Sequence, residues 1–415
     1  MQHHLIGKLA KLSLGLVLTG SISAGAEPLK VAIIEAITGP AETVGRPIAQ
    51  STRLALEEIN ARGGYNGEPI VIKDYDNAST SAGASEQFRA AVADGARVIF
   101  QAASSAVAGQ LSDEVRRHNL RNAGKEIIFY NVGSGASDLT AEKCHFWFFR
   151  TGNIPEMAWN IAVPALQADG AFKSKVFLIN QNYSYGLSVQ AAQRNVLKAR
   201  NIEIVGDVIH DFNKIQDFSP YVQQIKNSGA EVVLTGNGFN DLTLLLRAIR
   251  DAGLKVSLAS VAMDVPGTLK AAGDSALGYY IVTPFTLNAG PKMDAWVAGF
   301  QKKIGRDPIS FDAIAYNAVM LLGNALNSTS VRGGPIDSRK IAFAIENATY
   351  ESPFGLQSMR KEDHHAIIPV FVGKTTKAAT KKVDGTDMGF ETVVAVSGAK
   401  AAAPVDPACK MQRPP

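Results

Sequence analysis

From Leu29 onward the chain alternates short, continuously apolar runs with longer stretches in which apolar residues recur every three or four positions. The run Leu29-Lys30-Val31-Ala32-Ile33-Ile34 predicts a strand, and 48–62 predicts a helix whose Ile48, Thr52, Ala55 and Ile59 share a face. On its other side Arg53/Glu57 and Glu58/Arg62 are i,i+4 charge pairs, and Gly63-Gly64 supplies the stop. Strand 69–75, helix 81–94, strand 97–102, helix 106–119 and strand 126–131 repeat this unit. A second series follows Phe146-Trp147-Phe148-Phe149-Arg150: strand 175–180, helix 186–199, strand 203–209, helix 218–227, strand 231–235, helix 242–252 and strand 255–260. After strand 279–284 come helical stretches at 292–304, 311–327 and 338–347, then strands 355–360 and 366–372. Strands apolar on both faces belong to a parallel sheet covered by helices. The pattern predicts an α/β protein of two Rossmann-like, doubly wound β/α lobes, with the chain crossing between them more than once.

Two segments fall outside that alternation. Residues 1–26 carry Lys8 and Lys11, the apolar run Leu12-Ser13-Leu14-Gly15-Leu16-Val17-Leu18, and Ala24-Gly25-Ala26, the parts of a cleavable secretory signal peptide. The apolar part is too short for a membrane span, and no cysteine at the cleavage point suggests a lipid anchor. The expected destination is the periplasm. From 375 to 415 the chain is rich in Lys, Ala, Gly and Pro and reads as an extended tail.

Composition narrows the function classes. The 415 residues, 46% hydrophobic and 19% charged, suit two or three packed domains and exclude a disordered chain. The formal charge of +4 has no concentrated basic block, so no nucleic-acid partner is indicated. Two cysteines, Cys144 and Cys409, cannot make a zinc-ribbon, iron–sulfur or Cys-x-x-Cys motif. In an oxidising compartment they can pair, tying down the tail; the alternative is two free thiols.

In open α/β sheets ligands bind beyond the carboxyl ends of the strands. Those ends carry Thr38-Gly39-Pro40 through Val44-Gly45, Ser104-Ser105 and Gly133-Ser134-Gly135 in the first lobe, and Tyr183, Tyr185, Asn237 and Asp264 in the second. Ser104 and Ser105 precede a helix, where free amides favour a carboxylate or serve only as a cap. Tyr183 and Tyr185 either face a ligand or pack on the helix behind them. Asp264 either holds an ammonium or caps a short helix near Pro266. Gly-x-Gly-x-x-Gly after the first strand, the phosphate-binding Gly-x-x-x-x-Gly-Lys-Ser/Thr and Gly-x-Ser-x-Gly are all absent. His364 and His365 are adjacent inside or beside a strand, where side chains point to opposite faces, and read as a solvated strand start; His118 and His210 have no partner at ligand spacing. No catalytic residue, metal site or cofactor is expected.

At this point the sequence resembles the branched-chain amino-acid-type (Leu/Ile/Val-binding) family of periplasmic substrate-binding proteins of ABC transporters. The similarity runs over 29–374 and is carried by Thr38-Gly39-Pro40 with Gly45, by Leu56-Glu57-Glu58-Ile59-Asn60-Ala61-Arg62-Gly63-Gly64-Tyr65-Asn66-Gly67, by Ser104-Ser105, Leu139-Thr140, Phe149-Arg150-Thr151 and Tyr185-Gly186, and by Asp217-Phe218-Ser219. It implies a type I periplasmic binding protein whose lobes close over a small ligand. Lobe I would comprise 27–148 and 284–348, lobe II 149–283 and 349–374, with hinges around 147–153, 283–287 and 347–353. By position, Ser104 or Ser105 and the backbone of 133–135 would hold a ligand carboxylate, Tyr185 would cover it, and Asp264 would meet an α-ammonium. Val44 stands where amino-acid binders of the family often have an aromatic, and Gly135 falls close to an expected Thr or Ser. The implied protein is a monomer that delivers an amino acid or other small carboxylate to an ABC permease. The alternatives are a sensor presenting its closed state to a signalling receptor and, from another class, an exported enzyme.

Overall fold

The computed structural model describes residues 27–288 and 290–414. The signal-peptide segment 1–26 lies outside them. In chain order the first lobe runs β1 (Lys30–Glu35), α1 (Glu42–Ala61), β2 (Val71–Asp76), α2 (Ser81–Ala93), β3 (Val98–Gln101), α3 (Ser105–Arg121), β4 (Ile128–Asn131) and β5 (Phe148–Arg150). Its strands form one parallel sheet in the order β2-β1-β3-β4-β5.

The second lobe continues with α4 (Pro155–Ala168), β6 (Lys175–Gln181), α5 (Ser184–Ala199), β7 (Glu203–His210), α6 (Ser219–Ser228), β8 (Val232–Thr235), α7 (Phe239–Asp251), β9 (Ser257–Ser260), α8 (Thr268–Ala272) and β10 (Tyr280–Thr283). The chain then returns through α9 (Pro291–Ile304), α10 (Ser310–Leu326) and α11 (Ser338–Glu346). Of these, α10 packs along α1 and so completes the first lobe. A small antiparallel sheet follows, β11 (Thr349–Ser352), β12 (Gly355–Met359) and β13 (Ala366–Ile367), before β14 (Val370–Thr376), β15 (Gly389–Val396) and α12 (Gly398–Ala401). The second sheet runs β15-β14-β10-β9-β8-β6-β7 and is parallel except at its β14 and β15 edge.

Both cores follow from the apolar strands. β3 and β4 are buried at every residue, as is β8, with helices on either side. Among the described residues no helix is long and apolar enough to cross a membrane.

The chain departs from the expected boundaries at four places. The first strand pair of the hinge includes β5, so the crossing begins after Arg150 rather than after 148. Strands β11 and β12 pack on α10 and α11, and only β14 enters the second sheet. The tail is not wholly extended: β-branched Thr392, Val393, Val394 and Val396 build β15 along β14. Helix α1 starts six residues early and runs through Pro47, which lies within its second turn.

Cys144 and Cys409 form a disulfide with Cα atoms 5.5 Å apart. Beside it Arg413 pairs with Glu346 at 2.5 Å and lies over the Phe146 ring. The tail is thereby strapped across the loop that carries His364 and His365. That loop bonds Arg150 directly, the Arg150 amide donating to the His364 carbonyl at 2.8 Å.

Candidate functional site

The carboxyl ends of both sheets face each other across a cleft whose cavity measures about 730 Å³ counting its open mouth. From the first lobe come Val44 in the first turn of α1, Ala102, Ala103 and Ser105 at the β3–α3 junction, and Gly133, Ser134 and Gly135 after β4. From the second come Tyr183 and Tyr185 at the β6–α5 junction, Phe239 at the start of α7, and Val261 and Ala262 after β9.

The loop after β4 is shaped by Asn131. Its side-chain oxygen accepts from the Gly133 amide at 3.2 Å and the Ser134 amide at 2.9 Å, while its amide group donates to the Ser134 carbonyl at 2.9 Å. The Ser134 hydroxyl donates to the Ala102 carbonyl at 2.8 Å, fastening this loop to the end of β3. The Ser105 hydroxyl oxygen accepts from the Ala136 amide at 3.1 Å, leaving its own hydrogen to donate. Ser105 is 4% exposed and opens α3, a 17-residue helix with no side-chain cap, so its first-turn amides have no acceptor within the helix.

Behind this wall, fully buried, is Glu35. Its carboxylate accepts from the amides of Ala36 (3.1 Å), Ala103 (3.4 Å) and Ala102, and burial pushes it up to about 8.

The second wall is aromatic. The Tyr183 ring lies 4.5 Å from Phe212 and 6.2 Å from Tyr185, and Phe212 stands edge-on to Phe239 at 5.6 Å. Phe239 adopts φ +55, a left-handed conformation uncommon for a bulky residue. Gly186 fixes the aim of Tyr185: a Cβ there would sit 1.9 Å from the Gln181 carbonyl oxygen, so only glycine lets α5 start against the end of β6. Burial pushes both phenols up, which keeps them protonated.

The lobes touch. A Cβ on Gly135 would meet the Tyr185 ring at 2.8 Å, which accounts for glycine where the resemblance led to an expected Thr or Ser. The Ser137 amide donates to the Ser188 hydroxyl at 3.1 Å. Asp264, after β9, reaches the first residue of α10: it accepts from the Ser310 amide at 2.6 Å and the Ser310 hydroxyl at 3.1 Å. Burial pushes its carboxyl up to about 6. Asp264 faces a second cavity, of about 1030 Å³ counting its mouth, on the crossover side, and Thr283 lies on both cavities.

Seven of the ten sequence-derived candidates therefore line the cleft: Val44, Ser105, Gly133, Ser134, Gly135, Tyr183 and Tyr185. Three stand outside its lining. Ser104 is the half-exposed residue before α3. Asn237 is buried behind the wall, its side-chain oxygen 3.0 Å from His210 Nε2. Asp264 is turned toward Ser310. Phe239, at a strand end, and Asn153 and Thr283, at expected hinges, also line the cleft though they were not among the candidates. Ser310 and Phe311 had no place in the sequence-derived site; for Phe311 the available signal was its place at the start of a long apolar helix.

Among the described residues no catalytic arrangement emerges. His364 and His365 are not a solvated strand start: they precede β13 and are buried at the hinge, His364 Nε2 2.6 Å from Glu346 and His365 Nε2 2.9 Å from the Gly152 carbonyl. Ser112 and His145 are 2.9 Å apart but sealed beneath α3, and burial pushes His145 down to about 3. Among the described residues no group of three or more His, Cys, Asp or Glu could hold a metal ion.

Residues 28–381 match the family model described as periplasmic binding protein. The Leu/Ile/Val-binding protein homolog 4 of Brucella abortus is 40% identical over 400 residues, 96% of each chain. The leucine-, isoleucine-, valine-, threonine- and alanine-binding protein from Brucella ovis, solved in a closed conformation, is 39% identical with a TM-score of 0.89, covering 94% of this chain and all of that one. An ABC-transporter solute-binding protein from R. palustris in complex with benzoate shares the fold at 18% identity, with a TM-score of 0.76 over 92% of this chain and 100% of its own.

Proposed function

The chain belongs to the periplasmic binding protein family as a solute-binding protein and not an enzyme, and from that premise we propose that it captures an amino acid or related small carboxylate in the inter-lobe cleft. The family's place is the periplasm and its work is with ABC transporters. In our reading a signal peptide over 1–26 exports the chain, and the monomer hands its solute to a permease in the inner membrane.

The observation that carries the reading is the opposition of two unlike walls. One offers the capless first turn of α3 beside Ser105 and the Gly133–Gly135 loop; the other offers Tyr183, Tyr185 and Phe239. A carboxylate would sit on the first and an apolar body against the second. A ligand touching both walls favours the closed form over the open one, and a permease that recognises the closed form thereby distinguishes loaded from empty protein. The sensor alternative has no supporting feature in the relatives.

The test is calorimetric titration of ligand-stripped protein with small carboxylates. Tyr185→Ala should weaken binding about 10- to 100-fold, because a central aromatic anchor is lost. Its half-buried side chain lies at the cleft, so the ligand-free melting temperature should shift by no more than about 2 °C. Unchanged affinity would remove Tyr185 from the site.

A further inference from the structure

The polar groups that reach the cleft are unevenly matched. Hydrogen-bond donors are present: the first-turn amides of α3, the free hydrogen of Ser105, and Thr283, a cavity-lining residue 4% exposed whose buried hydroxyl has no partner. Charged acceptors are not: among the described residues no Asp or Glu lines this cavity, and no Lys or Arg.

The acids nearby stand outside the lining. Asp241, behind Gly238 and Phe239, accepts at Oδ2 from Gln181 Nε2 at 2.7 Å and the Asn213 amide at 2.8 Å. Asp264 gives both oxygens to Ser310 across the lobe boundary and opens on the second cavity. Glu156 receives the Ser137 hydroxyl at 2.8 and 2.9 Å. Glu35 is held by three amides behind Ala102 and Ala103.

We infer that this cleft selects small carboxylic acids that lack a free amino group, the bridge from Asp264 to Ser310 having withdrawn the acid that an α-ammonium would need. The inference rests on the cleft reading above and narrows its ligand class. An ammonium enclosed here would lose its water and meet aromatic rings, aliphatic side chains, backbone and only neutral polar groups such as Asn153, Thr283 and Ser310, with no counter-charge from the protein. A hydrogen in its place would lie against Val44, Phe311 and Ile314 without that penalty. Replacing the ammonium by hydrogen leaves recognition of the carboxylate intact, because the α3 end of the cleft is separate from the aromatic wall.

Matched pairs provide the test. Ligand-stripped protein is titrated calorimetrically with 4-methylpentanoate against leucine and with phenylacetate against phenylglycine. The expected result is at least a hundredfold tighter binding of the des-amino member in whichever pair fits the cavity. In Asp264→Asn protein the ratio within each pair should stay within about threefold of wild type, since Asp264 does not reach the ligand. Equal or tighter binding of the amino member in the wild type would overturn the inference while leaving small-carboxylate capture standing, and so would a selective loss of amino-acid binding in Asp264→Asn. Failure of all four acids to bind would overturn both the inference and the reading on which it rests. The wild-type comparison decides the matter even where the variant does not fold.

Discussion

Replacing Cys144 and Cys409 together by serine will lower the unfolding free energy by as much as about 5 kcal/mol, the chain-entropy value for releasing so long a closed loop. The two residues are 265 apart in sequence, so the bond closes most of the chain into one ring and restricts the unfolded ensemble accordingly. The bond is also local in effect, because it joins the approach to β5 to a tail that crosses the hinge loop. Arg413 with Glu346, Arg413 over Phe146, and the Arg360 guanidinium donating to the Ala403 carbonyl at 2.5 Å hold the same strap without covalent help. Denaturant unfolding of the double-serine protein beside the wild type measures the difference. A loss under about 1 kcal/mol would mean that those contacts alone restrain the tail, and that the covalent ring adds little.

What could be read from the sequence follows physical lines. Strands buried on both faces announced themselves as continuous apolar runs, and helices with one wet face announced themselves by period; β1, β3, β4, β6 and β8 and helices α2, α3, α5 and α7 are of these kinds. Helix α4 is not. Pro155 opens it, Pro164 lies inside it, and Met157, Ala158, Trp159, Ala162, Val163, Ala165 and Leu166 are all buried, so it shows little polar face to mark a period. Strand β15 hid within a composition suited to a linker.

At the site, the rule that ligands meet strand ends found the residues following β3, β4 and β6. It could not find Phe311 or Ser310, which arrive on a helix N-terminus from a later crossing. Nor could spacing show which way Asp264 turns. Its identity suggested an ammonium partner, whereas its direction is set by the amide and hydroxyl of Ser310, a residue 46 positions away. Specificity in such a cleft depends on orientation between lobes, and local sequence carries little of that.

Glu35 should make both stability and ligand affinity fall with rising pH. Its carboxyl is raised from an ordinary 4.5 to about 8, first by burial, with the amides of Ala36, Ala102 and Ala103 opposing. The folded protein therefore holds this proton more tightly than the unfolded chain does. The stability it contributes is complete below pH 4.5 and is lost as pH rises through about 8. At about 1.4 kcal/mol per pH unit the loss is at most about 5 kcal/mol. Asp264, raised to about 6, works in the same direction over a narrower and more acidic window. His145 and His365, both pushed down to about 3 by burial, work the other way: their contribution is complete above pH 6.5 and is lost as pH falls toward 3. Stability should thus be greatest in the mildly acidic to neutral range. Unfolding curves between pH 5 and 9 for wild type and Glu35→Gln separate the Glu35 part, since the glutamine cannot ionise and the histidines are common to both. The two profiles should converge or cross by several kcal/mol toward pH 9; parallel profiles would remove Glu35 as the source. The same charge bears on the ligand. Ala102 and Ala103 stand between Glu35 and the α3 end of the cleft, so an ionised Glu35 opposes a bound carboxylate. Wild-type affinity for the des-amino acids should decline from pH 6 to 9, and the Glu35→Gln protein should keep its affinity over that range.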